Sequence, residues 1–233
     1  VLDRLRRERL HNELSVHLSH QLQSEQAMQQ HIDQLFLEHE IEDSQLRMMF
    51  ACCHPSLPPE AQITLILRTL CGLSIPEIAK AFLSNDETIS KRLYRVKDKI
   101  RSTPIDLEVP TGSELLPRLD AILKAIYLLF NEGYTSQSPD LLIRKDLCEE
   151  ALRLGTLLYQ HRYTALPKTA ALLSLMYFQA SRFEARQDEE GNIVLLAHQN
   201  RQKWHPQLIK QGIYYLDEAS RGDGISSYHL EAA

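Results

Sequence analysis

The chain has 233 residues, and its 26 lysines and arginines against 31 aspartates and glutamates give a net charge of −5. This length is sufficient for one large or two small domains with real hydrophobic cores. The mildly acidic balance argues against a protein that binds polyanions over its whole surface. Glycine and proline are sparse, at 8 and 10 residues, and alternating β-branched patterns are nearly absent, so the sequence predicts an all-α protein.

No apolar run approaches the roughly 20 residues that a membrane-spanning helix requires, and no secretory leader is visible, so we expect a cytoplasmic protein without a membrane partner. Cytosolic thiols rarely form disulfides, so the cysteines should be reduced and buried. They are Cys52, Cys53, Cys71 and Cys148. Adjacent cysteines on a helix point about 100° apart, which does not suit a shared metal ion. We therefore predict no metal site and no cofactor, and elemental analysis should find no stoichiometric zinc.

The first ten residues are strongly basic and predict the end of a helix, since four arginines accompany regularly spaced leucines. The chain begins without methionine inside this helix, so we expect a fragment of a longer protein. Residues 11–42 are rich in glutamine and histidine and become acidic toward their end. That composition is typical of a linker with some helix.

Two helices are predicted to follow the linker. The first, 43–53, has its apolar residues on one side and ends before Pro55, because the residue before a proline disfavours helical backbone. The second begins at Pro58 and Pro59, in the first-turn positions that tolerate proline, and runs to Leu70. We expect this second helix to brace the motif that follows it.

The stretch 72–101, GLSIPEIAKAFLSNDETISKRLYRVKDKIR, predicts two helices joined by a tight turn. Gly72 is placed to end the preceding helix in the left-handed conformation. Ser74 and Glu77 have the spacing of a capping box at the start of the first helix. Asn85 is a favourable N-cap for the second helix.

The second helix of this motif has two opposed faces. Ile89, Leu93, Val96 and Ile100 recur at helical spacing and should face a core. The polar residues predict DNA binding, because a helix–turn–helix places an arginine-bearing second helix in the major groove, where arginine binds guanine edges or phosphate. The candidate DNA-binding residues are Thr88, Ser90, Lys91, Arg92, Arg95 and Lys99. The alternative is a solvated basic face on an ordinary helical hairpin.

The segment EIAKAFLSNDETISKRLYRVKDKIR resembles domain four of a bacterial sigma factor, the domain that recognises promoters. The matching residues are Glu77-Ile78-Ala79, Thr88-Ile89 and Arg92-Leu93-Tyr94-Arg95. The sequence departs from the family pattern at Leu83, where glycine is common, and this leaves the turn conformation open. The resemblance implies core RNA polymerase and promoter DNA as partners, and we expect a monomer. It also implies that Arg6 and Arg7 match the end of sigma domain two and contact DNA there.

Residues 102–113 contain two prolines and a glycine and predict a domain boundary. We therefore expect four segments: 1–42, the end of sigma domain two with a linker; 43–102, sigma domain four; 103–113, a second linker; and 114–233, a truncated helical extension. In the extension, Leu115–Phe130 is apolar almost all round and predicts the central helix of a second core. A loop, FNEGY, should follow at 130–134. Further helices are predicted at 140–159, 167–183, 206–219 and 226–233, and 193–196 could be a strand or a helix start.

Three separated motifs carry a second resemblance: RMMFACCHPSLPPEAQITLILRTLCGLSIPEIAKAFL, IYLLFNEGY and DLCEEALRLGTLL. In this order they resemble one branch of the extracytoplasmic-function sigma factors, whose members carry a tetratricopeptide-like helical extension, although no clean 34-residue period is present. The resemblance implies that the extension helps to control sigma activity. We expect Glu132 and Tyr134 to lie at the contact between the two domains, or else only to hold their loop against its own core.

The alternatives to a sigma factor are a one-component regulator and an enzyme. A one-component regulator would bind an operator through the helix–turn–helix and a small molecule through the helical extension. An enzyme is disfavoured, because the sequence shows no nucleophile–base pair, no glycine-rich phosphate loop and no metal-ligand spacing. We therefore predict no catalytic residues.

Overall fold

The computed structural model describes residues 44–102, 110, 112–135, 143–188, 190, 192–222 and 224–233, and these residues are predominantly helical. No strand occurs among them; one isolated bridge pairs Gln187 with Ile193. The all-α prediction is confirmed. No described helix is long and apolar enough to cross a bilayer.

Four helices form the part of the fold that contains the predicted helix–turn–helix. They are α1 (Ser44–Cys52), α2 (Pro59–Thr69), α3 (Ile75–Ala81) and α4 (Asp86–Ser102). Helix α2 contacts α1, α3 and α4, so it is the brace that the sequence predicts for the motif. Its seven consecutive buried residues, 61–67, fit that central position.

Five helices follow, connected in places by short 3₁₀ turns. They are α5 (Leu116–Tyr134), α6 (Lys145–Gln160), α7 (Pro167–Ala180), α8 (Pro206–Ala219) and α9 (Ser227–Ala232). The 3₁₀ turns are Gly112–Leu115, Phe183–Ala185, Leu196–His198 and Arg201–Lys203. Helix α7 contacts α5, α6, α8 and α9. Residues 169–176 of α7 are all buried, so α7 is the centre of the C-terminal helices.

Helix α5 is apolar on nearly every side because it is packed on nearly every side. It contacts α1, α2 and α3 of the helix–turn–helix part, and α6 and α7 of the C-terminal part. Near its start, the Arg118 guanidinium donates to the Phe50 carbonyl of α1 at 3.0 Å. The described residues from Ser44 onward form one compact unit, and α5 is the element shared between its two ends.

The sequence prediction of a loop at 130–134 is wrong, because α5 continues through Tyr134. Gly133 lies inside the helix and does not end it. A Cβ atom at this position would lie 2.7 Å from the Cys148 Sγ and 2.8 Å from the Arg144 carbonyl oxygen. The glycine therefore allows the end of α5 to approach the start of α6, and the Arg144 amide donates to the Gly133 carbonyl at 2.8 Å.

Other predicted boundaries shift for local reasons. Helix α6 begins at Lys145 rather than at 140, and α7 ends at Ala180, after which a 3₁₀ turn continues the chain. Ile213 lies on α8 and is 56% exposed. The buried face of α8 instead passes through Gly212, Tyr215 and Ala219, since the backbone at Gly212 lies directly against Phe178.

We predict that Gly133→Ala destabilises the protein, because the new methyl group would overlap a carbonyl oxygen and a short side chain that cannot move away. Overpacking of this kind costs about 1–3 kcal/mol in the free energy of unfolding. Chemical denaturation of the full-length protein measures it. The matched control is Gly224→Ala, since nothing lies within 4 Å of a Cβ there. Equal midpoints for the two variants would contradict the close packing of α5 on α6.

Candidate nucleic-acid interface

The first helix of the motif begins as the sequence predicts. Gly72 has a φ of 70°, the left-handed conformation that glycine adopts most readily. The Ser74 hydroxyl accepts from the Glu77 amide at 3.4 Å, and the Glu77 carboxylate accepts from the Ser74 amide at 2.5 Å. This reciprocal pair is a capping box, so α3 has a fixed start.

The turn between α3 and α4 takes its shape from Leu83. This residue has a φ of 50° and its side chain is 96% exposed. The turn therefore has the left-handed geometry that a glycine would supply, although the residue is a leucine. Asn85 then caps α4, because its side-chain oxygen accepts from the Thr88 amide at 2.8 Å.

Helix α4 has the two faces that the sequence predicts. Ile89, Leu93 and Val96 are buried, and Ile100 is half-buried. The polar face borders an open cleft of about 560 Å³ between α4 and the N-terminal end of α2. Five of the six candidate DNA-binding residues line this cleft: Thr88, Lys91, Arg92, Arg95 and Lys99. Ser90 is exposed but is not among the lining residues.

The basic residues along the cleft differ in what they contact. The Lys91 ammonium lies 2.6 Å from the Glu87 carboxylate, but both side chains are mostly exposed. The Lys99 ammonium donates to the Ser56 carbonyl at 2.5 Å. Arg95 is exposed. Within the described part of the chain it has no hydrogen bond or ion pair, so its guanidinium is available to a ligand.

Helix α3 also carries a charged contact with the C-terminal helices. The Lys80 ammonium donates to the Thr135 carbonyl at 2.7 Å and lies 3.7 Å from the Glu132 carboxylate. The Arg144 guanidinium lies 2.9 Å from the same Glu77 carboxylate that caps α3. We call Glu77, Lys80, Glu132 and Arg144 the α3 contact cluster.

The pKa values of the two carboxylates in the α3 contact cluster shift in opposite directions. Burial raises the pKa of Glu132, and Lys80 only partly opposes this effect. Burial also acts to raise the pKa of Glu77, but hydrogen bonds from Ser74 and the charges of Arg144 and Lys80 lower it overall. The cluster therefore depends on its two cations, because each carboxylate is partly withdrawn from water.

Glu132 and Tyr134 have different surroundings. Glu132 is 4% exposed and contacts α3 through Lys80. The Tyr134 ring is stacked on Phe130 with centroids 5.8 Å apart, and the Arg186 guanidinium lies 3.6 Å from its centroid. Glu132 thus lies at the contact between α5 and α3 of the helix–turn–helix part. Tyr134 instead packs against residues of the C-terminal part, Phe130 and Arg186.

The remaining sequence expectations concern residues outside the DNA-binding face. Arg6 and Arg7 lie outside the described residues. Cys52, Cys53 and Cys148 are buried, Cys71 is partly exposed, and all four thiols are free. Burial raises the pKa of Cys53, Cys71 and Cys148 to about 12. In the described parts of the chain, no group of three or more possible metal-binding side chains comes together.

Sequence reasoning missed the contacts that hold the motif in place. The sequence predicted no role for Lys80, Arg144 or Thr64, because their partners are distant in the chain. Lys80 and Thr135 are 55 residues apart. Arg144 and Glu77 are 67 residues apart. The spacing of charges within one helix does not indicate such pairs. The sequence offered one indication of such a contact, the aromatic and acidic residues of FNEGY, and Glu132 is one of them.

Two segments of the chain match known families. Residues 47–100 match Sigma-70, region 4, and residues 118–220 match a family of unknown function, DUF6596. The chain is also 37% identical over 191 residues to an uncharacterized protein of Rhizobium meliloti (strain 1021). That alignment covers 82% of this chain and 45% of the relative, so the chain spans less than half of the relative's length. No solved structure matches the chain.

Of the two family matches, only the first carries a functional description. Helices α1 to α4 form a sigma-factor-like region, since the Sigma-70, region 4 match runs through all of them. The second family assigns no role to the C-terminal helices. The extracytoplasmic-function branch and the tetratricopeptide-like architecture therefore remain predictions.

We predict that the thiols of the native protein react slowly with iodoacetamide at pH 8. A thiol with a pKa near 12 is almost entirely protonated at that pH, and the thiolate is the reactive species. Mass spectrometry should show labelling of Cys53, Cys71 and Cys148 at least roughly a hundredfold slower than in the same protein unfolded in denaturant. Rapid labelling of the folded protein at Cys148 would contradict the burial of this α6 residue against α5.

Proposed function

We propose that the protein is a sigma factor that directs core RNA polymerase to promoters, with residues 43–102 as domain four binding the −35 element. One observation carries the proposal. A helix–turn–helix that matches Sigma-70, region 4 leaves the basic face of its second helix open beside a cleft. A second helix of this kind enters the major groove in DNA complexes. The C-terminal helices contribute no residue to the lining of that cleft.

Within α4, the exposed residues are the best candidates for direct contact with DNA. Arg95 and Lys91 supply positive charge, and Thr88 and Ser90 supply hydroxyl groups near the start of the helix. A guanidinium that has no polar partner among the described residues, as in Arg95, can form paired hydrogen bonds with a guanine edge. Lys99 lies at the far end of the cleft, where an ammonium can contact a phosphate once it leaves the Ser56 carbonyl.

The proposal includes the remaining partners. Core RNA polymerase and promoter DNA are the macromolecules that a sigma factor joins, and the protein acts as a cytoplasmic monomer without catalysing a reaction. Arg6 and Arg7 would contact DNA from the end of domain two. No cofactor is required, since positioning on the polymerase and contact with DNA account for the whole activity.

Run-off transcription tests the sigma assignment directly. Genomic DNA is transcribed with core RNA polymerase in the presence or absence of the full-length protein, and the start sites are sequenced. We expect protein-dependent start sites that share a sequence about 35 base pairs upstream. A protein that binds a palindrome without polymerase and produces no new start sites would be a one-component regulator instead, and the proposal would be wrong.

We predict that Arg95→Ala weakens promoter binding by the complex of protein and polymerase. A lost guanine contact costs about 1–3 kcal/mol and relaxes preference at one position, whereas a lost phosphate contact lowers the salt slope by about one. The matched control is Arg101→Ala, which removes the same charge from an exposed position of α4 outside the cleft. If both variants bind like the parent protein, α4 is not the recognition helix.

We further propose that the C-terminal helices regulate the sigma region through the α3 contact cluster. Arg144, at the start of α6, contacts the carboxylate that caps α3, and Glu132 with Thr135 at the end of α5 engages Lys80. Helix α3 packs directly on α4. A movement at the start of α6 would therefore reach the recognition helix through α3 alone. A regulator would act by binding one arrangement of these helices more tightly than another.

We predict that Arg144→Met lowers promoter-dependent transcription several-fold, because Glu77 loses the partner that ties the cap of α3 to α6. The control is Arg221→Met, which removes ion pairs with Asp217 and Glu218 within the C-terminal helices. Circular dichroism should show that both variants remain folded. Glu132→Gln and Tyr134→Leu complete the series, with the first expected to reduce output more than the second. Unchanged output from folded Arg144→Met would remove the cluster from regulation.

A further inference from the structure

Arg92 differs from the other basic residues of α4 because its guanidinium contacts two other elements of the motif. Its Nη1 donates to the Thr64 hydroxyl of α2 at 3.1 Å. The centre of the guanidinium lies 4.9 Å from the centroid of the Phe82 ring. Phe82 is the C-cap of α3 and directly precedes Leu83. One side chain therefore links the recognition helix to the bracing helix and to the turn.

The acceptor of this hydrogen bond is itself held in place. Thr64 is fully buried, and its hydroxyl donates to the Glu60 carbonyl of the preceding turn at 2.6 Å. The hydroxyl hydrogen is thus committed to α2, and a lone pair of the same oxygen is presented to Arg92. An arginine cannot give up its proton at physiological pH, so it serves only as a donor here, and the two groups are complementary.

A second brace lies two helical turns further along. The Lys99 ammonium donates to the Ser56 carbonyl in front of α2. Arg92 and Lys99 are seven residues apart, so they project from α4 in nearly the same direction. Arg95 lies between these two attachments and lines the same cleft, but has no polar partner of its own within the described residues. The attachments fix the rotation of α4 about its axis, and that rotation decides where Arg95 points.

We infer that Arg92 is a positioning residue that sets the orientation of the recognition helix, and that it does not itself contact bases. This inference rests on the proposed DNA-binding function of α4. Reading a guanine requires two free nitrogens in the plane of the guanidinium. Arg92 uses Nη1 on Thr64 and covers one face with Phe82. A guanine contact through the Nη1–Nη2 edge would therefore break the Thr64 hydrogen bond, and a contact through the Nε–Nη2 edge would have to reach the base while both contacts hold the guanidinium against the motif.

The test compares binding of DNA by the complex of full-length protein and core polymerase, using DNA that this complex selects from a random-sequence pool. Fluorescence anisotropy gives affinity as a function of salt. Arg92→Ala should weaken binding to every sequence by roughly tenfold, which lies within the range of coupling between residues in contact. The salt slope should not change, and any relaxed base preference should fall at the base pair that Arg95→Ala also affects. Arg95→Ala should itself change the salt slope or the base preference.

Thr64→Val separates positioning from direct contact, because it removes the acceptor and leaves the charge of Arg92 in place. Valine has nearly the shape of threonine, so the buried site keeps its packing. We expect Thr64→Val to reproduce most of the loss seen in Arg92→Ala, and the double variant to be little worse than either single variant. Arg92→Lys should fail to restore affinity, since an ammonium lacks the flat face that covers Phe82.

Several results would overturn the inference. A salt slope lowered by about one in Arg92→Ala, or relaxed preference at a base pair that Arg95→Ala leaves unchanged, would make Arg92 a direct contact. Parental affinity in folded Thr64→Val or folded Arg92→Ala would remove its positioning role. If these results appear while Arg95→Ala still weakens binding, only the inference fails. If the parent protein selects no sequence and binds no DNA, the proposed function fails and the inference with it.

Discussion

The burial of α5 between two groups of helices is the constraint on which the rest of the structure depends. One side of α5 completes the core of the sigma-factor-like region through α1, α2 and α3, and the other side packs on α6 and α7. Burial of apolar surface is the main favourable term in folding, and α5 supplies it to both groups at once. The two regions matched by different families are therefore joined through a shared helix.

Among the described residues, this arrangement leaves the basic face of α4 open while holding the rest of the motif. Helix α4 packs on α2 and α3, and every described residue that lines the cleft beside its basic face belongs to the sigma-factor-like region. The α3 contact cluster lies on the first helix of the motif, away from that lining. The contacts between the C-terminal helices and the motif thus fall on its scaffold and not on the basic face of α4, which is the physical basis for the regulatory role that we propose.

Much of the motif could be predicted from sequence because its determinants are local. The capping box of Ser74 and Glu77, the left-handed Gly72 and the buried face of α4 each depend on residues a few positions apart. The loop assigned to 130–134 was wrong because Asn131 and Gly133 resemble a helix end, whereas Gly133 is required by the approach of α6. The different contacts of Arg92 and Arg95 could not be predicted, since the acceptor on Thr64 is 28 residues away from Arg92.

The central claim is that α5 makes the DNA-binding helices and the C-terminal helices one cooperative unit. Native-state hydrogen exchange of the full-length protein in low denaturant measures it most directly, because it gives the free energy of opening for each protected segment. We expect the slowest amides of α2 and of α7 to open with the same free energy and the same dependence on denaturant. Opening of α7 at clearly lower free energy, with α2 still protected, would show two independent domains and would contradict it.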